Sequence, residues 1–166
     1  MLLSSALWLV TGCVSEQMSS LSDRVFNRAV EQFVLMDSQL DEGEFPRSLD
    51  TLGNLVTSDS KWWCCGFFPG SLWYTYEYTG NEQIKALAER YTRSIKTREL
   101  LFDHDLGFEV WCSYGNAYRL TGDQTYIPEI EEAVEYLSKI ADNDITILTT
   151  YTALLKIDKI KELKNE

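Results

Sequence analysis

Few side chains in this sequence combine a reactive group with a position that could use it. Asp105 is one: it follows the single histidine, His104, and precedes an apolar run that begins at Leu106. An Asp before such a run can accept hydrogen bonds from the orphan N–H groups of a helix's first turn, and on spacing alone this capping role is the favoured reading. The same carboxylate can do acid–base or electrostatic chemistry if it faces a cleft. His104 has no metal-binding partner or nucleophile beside it, so it reads as a hydrogen-bonding support rather than a catalyst. The other candidate chemistry is aromatic. Five Trp and nine Tyr are present, densest between Trp62 and Tyr78, which suits either a heavily packed core or a cleft on which sugar rings stack. Neighbouring Trp62 and Trp63 point different ways on any regular element, so one is expected in the core and the other at a cleft.

The four cysteines, Cys13, Cys64, Cys65 and Cys112, match no zinc or redox spacing. Adjacent Cys64 and Cys65 are poorly placed to bridge each other, and the three later cysteines read as small buried side chains. No metal or cofactor is expected. The 166 residues carry a formal charge of −11 with scattered Lys and Arg, so no basic face exists to neutralise phosphates, which argues against nucleic acid. An acidic ligand would be repelled by the molecule as a whole and must be held by local donors. With 45% hydrophobic and 25% charged residues the chain is globular in composition, and its length suits one domain.

The elements that position these residues are helical. Residues 2–10 are apolar but too few to span a bilayer, and they end in Val10-Thr11-Gly12-Cys13, the pattern of an export signal with a bacterial lipobox. Residues 1–12 are therefore expected to be a signal peptide, Cys13 the lipid-bearing residue and 13–22 a polar tether, although no Lys or Arg precedes the apolar stretch. That assignment makes an exported bacterial lipoprotein, periplasmic or associated with the outer membrane. From Val25, apolar residues recur at helical spacing with Ser22 as N-cap, and a turn-rich segment follows over 41–60. Gly66 to Tyr78 predicts a helix buried on all faces, ended by Thr79-Gly80-Asn81, and Ile84 to Ile95 an amphipathic outer helix. The pattern then repeats: Phe108 to Leu120, a stop at Thr121-Gly122-Asp123, and an outer helix opened by Pro128. The two Thr-Gly stops lie 42 residues apart, so the chain is read as all-α, a stack or ring of inner–outer hairpins, with no alternating strand pattern before the C-terminus. Trp73, Tyr76 and Trp111 read as core, and Asn116 and Arg119 as structural.

Three blocks carry a resemblance. Trp62-Trp63-Cys64-Cys65-Gly66-Phe67-Phe68-Pro69-Gly70-Ser71-Leu72-Trp73 with Tyr76-Glu77-Tyr78-Thr79-Gly80, then His104-Asp105-Leu106-Gly107-Phe108, then Gly115-Asn116-Ala117-Tyr118-Arg119-Leu120-Thr121-Gly122 resemble the unsaturated glucuronyl hydrolases, glycoside hydrolase family 88. The likeness covers about residues 25–137. It implies the N-terminal hairpins of a six-hairpin (α/α) toroid over 23–140, with 141–166 a divergent tail. It also implies hydration of the C4=C5 double bond of a terminal unsaturated uronic acid on lyase-cut oligosaccharides, rather than the usual two-carboxylate displacement. In that scheme Asp105 supports the reacting centre, Trp63 stacks on the sugar with His104 beside it, and no cofactor is needed. The family's second aspartate has no match here; Asp142 and Asp144 lack the rest of its block. The resemblance stops after Ser138, where 145–152 turn β-branched and 156–166 Lys-rich, and the sequence is expected to carry a frameshift or truncated reading frame near 138–144, inactive by itself. Two other functions fit the residues: a non-catalytic carbohydrate-binding lipoprotein and a helical-repeat interaction module.

Overall fold

The structure is a computed structural model that describes residues 4–97 and 105–140, without the side chains of 4–20 and 140. Helix α1 spans Ser4–Asp37, β1 Phe45–Leu49, β2 Leu55–Ser58, α2 Phe67–Thr79 and α3 Glu82–Ser94. After residue 105 come α4, Leu106–Val110, a π turn at Trp111–Gly115, α5, Asn116–Thr121, a 3₁₀ turn at Gln124–Tyr126 and α6, Ile127–Ile140. Helix α2 pairs with α3 as one hairpin, and the continuous rod α4–π–α5 pairs with α6 as a second.

The two Thr-Gly stops fold alike down to their hydrogen bonds. Gly80 (φ 65°) and Gly122 (φ 69°) take the left-handed conformation that ends a helix, each donating its N–H to the carbonyl four residues back, Tyr76 and Tyr118, at 2.8 Å. The hydroxyls of Thr79 and Thr121 accept from the N–H of Asn81 (3.2 Å) and Asp123 (3.1 Å). Asn81 then caps α3 by accepting from Gln83 and Ile84, and Asp123 caps the 3₁₀ turn by accepting from Thr125. A three-residue stop thus finishes one helix and starts the next, which is why each hairpin is tight.

Between the hairpins the core holds Leu72, Trp73, Ile84, Ala88, Leu106, Val110, Ala117, Ile130, Ala133 and Leu137, all almost fully buried. Buried Trp73 satisfies its indole N–H on the Thr92 hydroxyl at 2.9 Å, joining α2 to α3, and the Tyr114 hydroxyl donates to the Ile95 carbonyl at 2.8 Å, joining the second hairpin to the first. Burial lifts the Tyr114 hydroxyl well above the ordinary tyrosine range. Tyr76 and Trp111 pack against this core half-buried, as expected for residues within the inner helices.

Several expectations change. Helix α1 is continuous from Ser4, so Ser22 lies inside it rather than capping it, and residues 13–22 are helical where a tether was expected. The segment 41–60 is not only turns: β1 and β2 form an antiparallel hairpin. Only Phe45 of its two strands is fully buried, so the alternation that marks a half-buried strand is missing from the sequence. Its loop is held by Asp50, which accepts from Leu52 and Asn54 backbone N–H at 2.8 Å, with Gly53 at φ 85°. Helix α2 is not buried all round, since Phe67, Ser71, Tyr74 and Tyr78 leave one face open. The β-branched stretch 145–152 and the tail 156–166 lie outside the described residues.

Candidate functional site

The two inner helices run side by side with their N-terminal ends together, and the contact that fixes them is a glycine. Gly66 adopts ordinary helical angles (φ −68°, ψ −20°), so its backbone does not require glycine. Space does: a Cβ at residue 66 would lie 2.3 Å from the Glu109 carbonyl oxygen and 2.5 Å from its Cα. One turn on, a Cβ at Gly70 would meet the Cys112 carbonyl at 3.0 Å. Trp63 sits three residues before this contact and Asp105 four residues before its other side.

Asp105 is half-buried at the start of α4. Its backbone carbonyl accepts from Phe108 and Glu109, but its carboxylate makes no capping hydrogen bond, so the simple N-cap reading fails. The charge of Asp105 and that of Arg47 are both felt at Cys64, the residue after Trp63, whose thiol is raised chiefly by burial. Asp105 and Arg47 therefore both lie near the segment that carries the two tryptophans. Trp63 is 41% exposed, with its ring 6.3 Å from Trp62 and edge-on to Phe67 at 6.0 Å. The exposed row continues through Phe67 to Phe108, 6.3 Å apart. Trp62 is the more covered of the pair, beneath the guanidinium of Arg47 at 3.7 Å from its ring centre. His104 lies outside the described residues, and Cys13 lies within α1 with its side chain undescribed.

Glu109 was not apparent from the sequence. It is fully buried and its Oε1 accepts a hydrogen bond from the Cys65 thiol at 3.9 Å, while neighbouring Phe108 is 42% exposed. Burial and the Glu109 charge push that thiol far above the ordinary range, and burial raises Cys112 to about 11, so neither is a nucleophile at neutral pH. The three described cysteines are free thiols, Cys65 buried and the other two partly covered. At the far end of the inner helices Glu77 and Arg119, equivalent positions of the repeat, form a two-pronged ion pair at 2.6 and 2.7 Å, and Asn116 accepts from Arg119. That pair is structural, as expected for Asn116 and Arg119.

A cavity of about 910 Å³ lies elsewhere, between the end of α1 and the end of α3. Its Arg90 is paired with Asp37 at its own wall and its Arg93 with Asp123, so these charges serve the fold. Among the described residues no cluster of three His, Cys, Asp or Glu could hold a metal ion, and no helix is long and apolar enough to cross a membrane.

Paired inner and outer helices with Thr-Gly stops, together with the structural matches that follow, put this part of the chain in the all-α toroid class. No family model matches it. The chain is 30% identical over 145 residues to an unsaturated glucuronyl hydrolase of Formosa agariphila, an alignment covering 86% of this chain and 32% of the relative. Among solved structures, an unsaturated glucuronyl hydrolase specific for heparin matches with a TM-score of 0.62 and 36% identity, over 68% of this chain and 31% of the other. A Streptococcus agalactiae enzyme of the same name, complexed with dGlcA-GalNAc6S, matches in fold with a TM-score of 0.57 at 24% identity, over 70% and 32%. The chain is homologous to the unsaturated glucuronyl hydrolases and spans about a third of their length.

Proposed function

We propose that the protein is a glycoside hydrolase of family 88 acting on lyase-generated oligosaccharides that end in an unsaturated uronic acid. Protonation of the C4=C5 bond and addition of water at C5 give a hemiketal whose opening releases the neighbouring sugar. A vinyl ether yields to protonation at carbon only beside a well-placed acid, and the cation that forms needs a carboxylate nearby. Asp105 is assigned the supporting carboxylate, Trp63 the stacking platform and His104 a sugar-side hydrogen bond. The observation that supports this reading is the Gly66–Glu109 backbone contact, three residues after Trp63 and four after Asp105, which keeps the two segments at the same end of the inner helices.

The reaction needs a second acid, and no residue of this chain matches the family's second aspartate. The 166-residue chain alone is therefore expected to bind unsaturated disaccharide without turning it over. Incubation with unsaturated chondroitin disaccharide, following the ultraviolet absorbance of the double bond, should show no decay; turnover by the purified chain would refute this part. The lipobox-like Val10-Thr11-Gly12-Cys13 supports attachment of lipid at Cys13 and an exported, membrane-associated location. Radiolabelled palmitate fed to bacteria expressing the chain should enter the protein and be lost in Cys13→Ser.

A further inference from the structure

The β-hairpin that the sequence conceals carries one residue to the proposed sugar mouth. The strand register pairs Pro46 with Thr57 and Ser48 with Val56, leaving Arg47 between them as the extra residue of a bulge. A bulge bends its strand and re-aims the side chain it carries. Here its guanidinium lies over Trp62, 3.7 Å from the ring centre, and Trp62 adjoins Trp63 at 6.3 Å between ring centres. None of the ion pairs among the described residues uses Arg47. Its charge and that of Asp105 are both felt at Cys64, the residue after Trp63.

The molecule as a whole is strongly acidic, so an anionic sugar gains nothing from its long-range field. A local cation must supply the attraction. A guanidinium whose one face is spent on an indole still presents its N–H fork edgewise, the geometry that grips a carboxylate or a sulfate.

Resting on the functional reading above, we propose that Arg47 is a specificity-determining residue that holds an anionic oxygen group of the oligosaccharide beside Trp63. That group is either the uronate carboxylate or a sulfate on the neighbouring sugar. The bulge fixes Arg47 in register and the stack on Trp62 pre-orders it, so little side-chain freedom is lost on binding.

The test is a tryptophan-fluorescence titration of the full chain with three probes: unsulfated unsaturated chondroitin disaccharide, its 6-sulfated form, and neutral chitobiose. Arg47→Gln should weaken the charged probes about tenfold and flatten their salt dependence, leave chitobiose unchanged and keep the thermal unfolding curve, with partial recovery in Arg47→Lys. Equal loss for both charged probes assigns the carboxylate; loss for the sulfated probe alone assigns the sulfate. Should Arg47→Gln bind all three as the wild type does while Trp63→Ala abolishes binding, the role of Arg47 is overturned and the sugar mouth stands. Should the wild-type chain bind none of them, the functional reading fails and takes this role with it.

Discussion

Replacing Gly66 with alanine probes the contact that holds the N-terminal ends of the two inner helices together. The added methyl would lie 2.3 Å from the Glu109 carbonyl oxygen and 2.5 and 2.8 Å from its Cα and carbonyl carbon. All three are backbone atoms, so no flexible side chain can swing away. To reach ordinary contact the two inner helices must part by about 1 Å. Overpacking a core costs about 1–3 kcal/mol, and a clash with backbone belongs at the upper end, about 3 kcal/mol. For a chain of this size that lowers Tm by about 6–12 °C. The displacement also moves Trp63 away from Asp105, so sugar binding should fall beyond what the loss of stability explains, since a 1 Å misplacement in a site can cost about a hundredfold. Gly80→Ala is the control. Its cost is backbone strain alone, about 1–2 kcal/mol, because nothing lies within 4 Å of the new Cβ and φ is +65°. It sits at the other end of α2, so it should lower Tm without changing binding by the folded protein. Circular-dichroism melts and disaccharide titrations below the melting range read both effects. A Gly66→Ala protein with wild-type Tm and binding would refute the claim that this approach sets the site.

Trp73→Ala should cost about 3–5 kcal/mol in urea unfolding, and Thr92→Val about 1–3 kcal/mol by stranding the Trp73 N–H that it now accepts at 2.9 Å. The Glu77–Arg119 pair is over a third exposed, so a double-mutant cycle should give at most about 1 kcal/mol. Arg119 holds the Glu77 carboxyl below its ordinary value, so this contribution is present above the unfolded glutamate pKa and fades as pH falls through the lowered one; Glu77→Gln should remove that part of the acid dependence of stability. Asp105→Asn should lower affinity for unsaturated disaccharide by more than any change in its urea unfolding curve explains, read by titration of the folded protein.

The legible parts of the fold were local. Thr79-Gly80-Asn81 and Thr121-Gly122-Asp123 each hold a left-handed glycine, a hydroxyl and a capping side chain within three residues, so the sequence displays the whole device. What stayed hidden depends on distant partners. The β-hairpin buries only Phe45, which leaves no alternation to read, and Arg47 owes its position to a bulge and to Trp62 fifteen residues on. Around α4 the usual order is inverted: Glu109 is buried and Phe108 exposed, because the Gly66 approach turns residue 109 inward. The π turn that follows has its nearest sign in Ser113, whose hydroxyl bonds back to the Glu109 carbonyl, an arrangement a serine can make in any helix. Asp105 came from the blocks of resemblance rather than from spacing, which favoured a cap that its carboxylate does not make.

Whether Trp63 and Asp105 face one ligand can be read directly by nuclear magnetic resonance on the labelled chain. Adding unsaturated chondroitin disaccharide should shift the Trp63 indole N–H and the Asp105 amide together, at a common dissociation constant, and leave the Tyr74 ring and the Gly80 amide, toward the other end of α2, where they were. Shifts confined to Tyr74 and Gly80, or none at Trp63 and Asp105, would contradict it.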